Sequence, residues 1–348
     1  MKKKQTLKNA FLICWLMLLG IVLQVNSQVI KYVKPESSGS GDGSSWANAS
    51  NDLQAMINVS GPHTVWVAAG TYYPQYDHTG NSYSGDLRTK SFFLKGGVNI
   101  YGGFAGTETS LGQRNLAENF TILDGNIGES LNEMDNCYHV LTAINLSSSS
   151  AYFDLTIANG NAIGYPTLTT TIFGETVYNN VGGGFFSHNS TAQSFTRCRF
   201  VNNHASHSGG AIYSYGTTSL NYTDIDLCTF KDNTAYTYGG AVYLNNGTVS
   251  RSDFFWNMGG RGSGIAFATD AAYNIYNPIG QNVNVNNCIF YNTHPNELGE
   301  YGEFSRNFLE FHDLNNVSMY NNLFYSTTPL MFETLNISCN SLQVYNCT

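Results

Sequence analysis

The stretch "CRFVNNHASHSGGAIYSYG" at residues 198–216 is written again, thirty residues on, as "CTFKDNTAYTYGGAVYLNNG". No other feature restricts the fold so far. A unit this short cannot bury a core alone, so copies must stack and share one. Aligned on its phenylalanine, the motif recurs as Cys198-Arg199-Phe200, Cys228-Thr229-Phe230, Ser252-Asp253-Phe254, Cys288-Ile289-Phe290 and Asn322-Leu323-Phe324, at intervals of 30, 24, 36 and 34 residues. An earlier copy lies at Leu155-Thr156-Ile157. A second column follows the first, as "GGGFF" from 182, "GGAIY" from 209, "GGAVY" from 239 and "GSGIA" from 262.

Short alternating runs bounded by Gly, Asn, Asp and Ser separate these marks, with no sustained helical period. Such a unit, with two or three strands, reads as one turn of a parallel β-helix whose coils stack at about 4.8 Å. Like side chains then lie above one another. Phe200, Phe230, Phe254, Phe290 and Phe324 are expected to form an inward stack, stabilised by hydrophobic burial. Asn203, Asn233 and Asn257 are assigned to a corner, where Asn tolerates the left-handed conformation and stacked amides bond along the axis. The glycine pairs mark another bend. The position after each pair stays small (Gly184, Ala211, Ala241, Gly264), so a large residue there should clash with the next coil.

The chain opens with Lys2, Lys3, Lys4 and Lys8, an apolar run from Ala10 to Val25, and the small-residue pattern Val25-Asn26-Ser27. That is a signal peptide, residues 1–27, with cleavage expected near Ser27-Gln28. Removing it takes the formal charge from −8 to about −12, which should repel nucleic acid and anionic membranes. No later segment reads as membrane-spanning. Six cysteines remain: Cys137, Cys198, Cys228, Cys288, Cys339 and Cys347. Cys198, Cys228 and Cys288 fall two residues before the core phenylalanine, an inward position where a thiol acts as apolar filler. Neighbouring coils place Cys198 and Cys228 at disulfide range, and a thiol stack is the favoured alternative. No Cys-x-x-Cys or His-Glu-x-x-His pattern marks a metal site.

A solenoid needs covered ends. "SSWANASNDLQAMIN" supplies a short N-terminal capping helix, started by Ser50 or Asn48, with Leu53, Met56 and Ile57 on one face. Strands follow in "TVWVAAG", "SFFLKGGVNIYGGF" and "FTILDG", with a long loop from Pro74 to Lys90. At the other end "VYNCT" repeats "VNNCIF" and stops at Thr348, where the next core phenylalanine is due. The β-helix domain, 28–348, therefore reads as truncated at its C-terminus.

"YVKPESSGSGDGSSWANA", "VWVAAGTYYP", "IYGGFAGTETSLGQRN" and "TILDGNIGE" resemble the N-terminal half of the right-handed parallel β-helix surface proteins of Bacteroidetes-type bacteria. "GGAI", "GGAV", "FVNN", "FKDN" and "FFWN" are similar to the GGA[ILV] and FxxN repeats of chlamydial polymorphic outer membrane proteins. The resemblance implies an all-β, right-handed, pectin-lyase-like solenoid, exported to the cell surface or secreted, often adhesive. Many relatives carry a C-terminal sorting or anchoring domain. It carries over no catalytic residue.

Fold alone does not choose a function. A polysaccharide lyase of this shape needs carboxylates holding Ca²⁺ beside a basic residue, and a hydrolase needs paired carboxylates. Asp154, Arg197 and Arg251 share an outward column three residues before the core position, with Asp224, Asp226 and Asp253 nearby. The alternative is ion pairing between coils, each pair contributing under about 1 kcal/mol. Asp77, His78, Asp86 and Arg88 gather in the long loop, where solvated side chains are the competing account. Tyr213, Tyr215, Tyr236, Tyr238 and Tyr243 crowd two coils, as packing or as rings for sugars or a protein partner. The sequence reading is an adhesion or interaction scaffold without catalytic, cofactor or metal residues, engaging glycans or surface proteins. The alternative is a carbohydrate-active β-helix, a lyase with Ca²⁺ or a glycan binder.

Overall fold

A computed structural model describes residues 28–82, 85–129, 132–164, 169–268, 282–292, 308–326 and 335–348. The expected signal peptide, with Cys14, lies outside the described residues. The described residues form a right-handed parallel β-helix. Its first wall runs from Ile30–Val33 through His63–Ala68, Val98–Phe104, Ser150–Phe153, Gln193–Thr196, Thr223–Asp226 and Gly247–Ser250 to Asn282–Asn286. The second wall contains Gly70–Tyr72, Thr121–Asp124, Leu155–Ala158, Arg199–Val201, Thr229–Lys231, Asp253–Phe255, Ile289–Asn292 and Leu323–Ser326. The third contains Phe92–Phe93, Leu141–Ile144, Phe185–His188, Ile212–Tyr215, Val242–Leu244 and Ile265–Ala268. The long strand Leu309–Tyr320 turns the corner between the third and first walls, pairing with both.

The aligned phenylalanines are register partners in parallel pairs. Their rings stack from Phe200 to Phe324 with centroids 4.7–5.1 Å apart and planes within 15°. Ile157 and Leu123 continue the column toward the N-terminus. The capping helix spans Leu53–Ile57 and buries Leu53, Met56 and Ile57 in the core. Its N-cap is Asp52, whose carboxylate accepts the Ala55 N–H at 2.9 Å, rather than Ser50 or Asn48. Asn48 ends a separate short turn, Trp46–Asn48, and Ser50 bridges to Val33 of the first strand.

The corner assignment shifts by one residue. The left-handed residues after the second wall are Asn159, Asn202, Asp232 and Trp256, with φ from 54° to 60°. Asn203, Asn233 and Asn257 come next and are buried. They bind backbone where the chain has already turned inward. Asn203 Nδ2 donates to Ile157 O (3.0 Å), Asn233 Nδ2 to Phe200 O (2.9 Å) and Asn257 Nδ2 to Phe230 O (3.0 Å). At the bend before the third wall, Gly209 and Gly239 have φ of 62° and 60°. The second glycine of each pair is required by space: a Cβ on Gly240 would collide with the carbonyls of Met258 and Ser263.

Candidate functional site on the outer faces of the coils

The residues singled out for chemistry fall into three places. At the corner between the first and second walls, Asp154, Arg197, Leu227, Arg251, Asn287 and Asn321 form one left-handed column, φ 47–58°. Asp154 is clamped by Arg197, through Nε–Oδ1 at 2.7 Å and an Nη2–Oδ2 bond at 3.0 Å, and by Arg114 Nη1 at 2.6 Å. Hydrogen bonding to Asp154 pushes the Arg197 guanidinium further toward its charged form. Arg251 forks onto Asp226, with Nε–Oδ1 at 2.9 Å and a second bond from its terminal nitrogen. These are ion pairs between stacked coils. Arg114, from a loop preceding the regular repeats, was not legible as a partner because nothing in its local sequence points at residue 154.

Asp224, Asp226 and Asp253 all face outward, but they do different things. Asp224 accepts the Thr248 N–H at 3.1 Å from the next coil, and burial raises its carboxyl above the ordinary range. Burial opposes ionisation of Asp226 too, yet hydrogen bonds from Arg251 and Ser250 outweigh it and hold that carboxyl low. Asp253, on the second wall, is raised by burial. Among the described residues no group of three or more His, Cys, Asp or Glu side chains is placed to hold a metal ion.

The long loop is fastened to the coils rather than organised around a centre. Asp77 closes its own turn by accepting from Thr79 N (2.9 Å), Thr79 Oγ1 (2.6 Å) and Asn81 N (3.0 Å). Asp86 caps the turn Leu87–Thr89 and accepts from Tyr138 Oη at 3.2 Å. Arg88 lies 4.1 Å over the Tyr138 ring and donates to the carbonyls of Asn136 and Asn161. His78 packs edge-on to Phe93 and Phe173.

The tyrosines divide by wall. Ile212 and Val242 point into the main core, whereas Tyr213 and Tyr243 point out and stack on each other at 5.0 Å. They are nevertheless buried, along with Tyr215, in a second apolar cluster with Phe186, Val181 and the antiparallel hairpin Thr169–Ile172/Glu175–Tyr178. Tyr238 packs at its edge, and Tyr236 is half exposed. A strand covered on both faces loses the alternation that would have shown which residue points out. The outward column Phe255, Tyr291 and Tyr325 on the second wall was likewise not legible in the repeat pattern; there Tyr291 and Tyr325 stack at 5.0 Å and 8°. Tyr291 and Tyr325 turn their faces to one another along the axis, whereas Phe255 meets Tyr291 tilted, at 6.2 Å and 53°.

The chain matches the Chlamydia polymorphic membrane protein (Chlamydia_PMP) repeat over residues 197–215 and 227–245. Each matched segment starts at the left-handed corner, crosses the second wall and the glycine bend, and ends on or just after the third wall. The chain is thus a β-helix repeat protein with two adjacent copies of this repeat type. No curated protein matches it. Among solved structures, the pectin methylesterase from Aspergillus niger in its penultimately deglycosylated form is similar at 12% identity, covering 92% of this chain and 85% of that one, with a TM-score of 0.44. Among the described residues no helix is long and apolar enough to cross a membrane.

Proposed function

We propose that the chain is an exported β-helix of the Bacteroidetes surface type, displayed at the cell surface or secreted, and that it serves as an adhesion or interaction scaffold. One observation carries this reading. The recurring letters of the matched repeats are engaged in holding the solenoid: the phenylalanines in the core stack, Asn203 and Asn233 in buried hydrogen bonds, the glycines at crowded bends, and Tyr213 and Tyr243 buried in the second apolar cluster. Such a repeat maintains a rigid rod and leaves its outward positions to vary, which is what a surface that meets changing partners requires. The candidate carboxylates support the same reading, since Asp154 and Asp226 are occupied by arginines of the scaffold.

The test is display. An epitope tag inserted in the exposed loop at Thr217–Leu220 should be stained by antibody on intact cells making the full chain, or be recovered from the medium. Staining that appears only after permeabilisation, with none in the medium, overturns the proposal.

A further inference from the structure

We propose that a cleft at the N-terminal end of the solenoid binds a small carboxylate-bearing ligand with a ring-shaped body, a function beyond the scaffold reading. The cleft, of about 580 Å³, opens between the start of the long loop and the turn after the second wall's Thr121–Asp124 strand. Its lining includes Tyr73, Pro74, Gln75, Ser82, Lys90 and Asn126. That volume lies in the range of small-molecule sites. A second, smaller hollow beside the capping helix shares Tyr73 and Gln75 with it.

The partnering of these side chains sets the place apart. Several cations of the outer faces are held by polar partners: Arg88 on two carbonyls, Arg114 and Arg197 on Asp154, Arg251 on Asp226, Lys95 on the carbonyls of Asn58 and Val59. Lys34 and Arg199 lie instead over the rings of Trp46 and Phe120, each at 5.8 Å. Lys90 is half-buried, yet its amine makes neither an ion pair nor a hydrogen bond among the described residues. In an acidic chain, an ammonium that lines a cleft with no counter-charge beside it attracts a visiting anion. Its three donors suit a carboxylate. Tyr73 is 46% exposed at the same cleft and offers an apolar surface for a ring. Gln75 and Ser82, both exposed there, add hydrogen-bonding groups without a side-chain partner among the described residues. A uronic acid and an aromatic carboxylate both present this chemistry.

The experiment is calorimetric titration of the full chain with sodium galacturonate, sodium benzoate and, as the neutral control, galactose. At least one anion should bind, and galactose should bind more weakly than galacturonate wherever galacturonate is the ligand. Lys90→Met should weaken the anion about tenfold or more, the loss expected for one charge-assisted hydrogen bond, while Lys90→Arg retains most of it. Tyr73→Ala separates the ring contribution from the charge. Circular dichroism of each variant checks folding, and Lys90→Arg and Tyr73→Ala decide the matter if Lys90→Met unfolds. No binding of either anion, or anion binding that Lys90→Met leaves unchanged, overturns the proposal. Failure here would leave surface display untouched, since the two are read by separate measurements.

Discussion

Asn233 Oδ1 accepts two hydrogen bonds from Asn203, one from its backbone N–H and one from its side-chain Nδ2, each at 3.1 Å. Asn257 does the same for Asn233, at 3.0 and 2.9 Å. Gly160 N–H extends the ladder by donating to Asn203 Oδ1 at 3.0 Å. Each amide thus closes the backbone of one coil onto the next, fully enclosed.

Replacing Asn233 with Leu should therefore be severe. It strands both donors of Asn203 without water to replace the acceptor, for a loss of about 2–4 kcal/mol. The surface ladder of Asn287, Asn321 and Asn346 makes similar amide contacts in solvent. Asn321→Gly, which keeps the left-handed backbone, should cost under about 1 kcal/mol. Urea midpoints of the two variants test the contrast, and equal losses would refute it.

Gly240→Ala places a methyl against the backbone carbonyls of Met258, which lies in a paired strand, and of Ser263 in the bend that follows. Overpacking of this kind costs about 1–3 kcal/mol or more. Gly112, with open space around it and no unusual φ, is the matched control and should be neutral as Ala. Soluble yield and thermal midpoint report the difference.

Phe173 sits at the tip of the hairpin over the third wall with φ of 49°, followed by Gly174 at 85°. Two positive φ values make a type I′ turn, where Asn-Gly is the favoured pair. A bulky residue in the left-handed region is strained by about 1 kcal/mol or more. The ring is 59% exposed, so little packing offsets that cost. Phe173→Asn should raise stability by about 1 kcal/mol in denaturant titration, and a fall would mean that its edge contacts with His78 and Phe93 outweigh the strain.

His139 is buried beside Phe186, with Nδ1 3.0 Å from Gly182 O and Nε2 lacking a hydrogen-bond partner. Burial lowers its pKa from 6.5 to about 4, with the nearby Arg88 charge adding to the effect. Between those values the unfolded chain binds the proton and the folded one does not. Its contribution is therefore complete above pH 6.5 and is lost as pH falls toward 4, by on the order of 3 kcal/mol. His139→Gln should flatten that slope. Stability measured from pH 4 to 7 for both proteins checks it; superimposable slopes would be evidence against the buried neutral ring.

Cys198 and Cys228 are free thiols in neighbouring coils, their Sγ atoms donating to Tyr152 O (3.4 Å) and Phe195 O (3.5 Å). Burial, and the proximity of the Cys198 thiol, push the Cys228 pKa well up. Both are enclosed, Cys198 at 0% and Cys228 at 1% exposure, so both should resist iodoacetamide in the native chain and label once it is denatured. A mass two hydrogens lighter, with a peptide joining residues 198 and 228, would show a disulfide instead.

The stacking of like residues was readable before any coordinates, because a parallel coil puts position upon position and the chain must repeat whatever the core needs there. Phe200 over Phe230 and the crowding at Gly240 follow from that rule. Tertiary structure decided what repetition does not encode. The left-handed turn falls on Asn202 and not Asn203, because a buried amide must reach a backbone carbonyl of the preceding coil. Tyr213 is packed beneath a hairpin from the coil before, a cover outside its own repeat. Arg114 reaches Asp154 from a loop forty residues earlier, and the cleft at Lys90 joins two loops that share no motif. Periodicity fixes neighbours along the axis; contacts supplied from outside the period depend on where irregular segments come to rest.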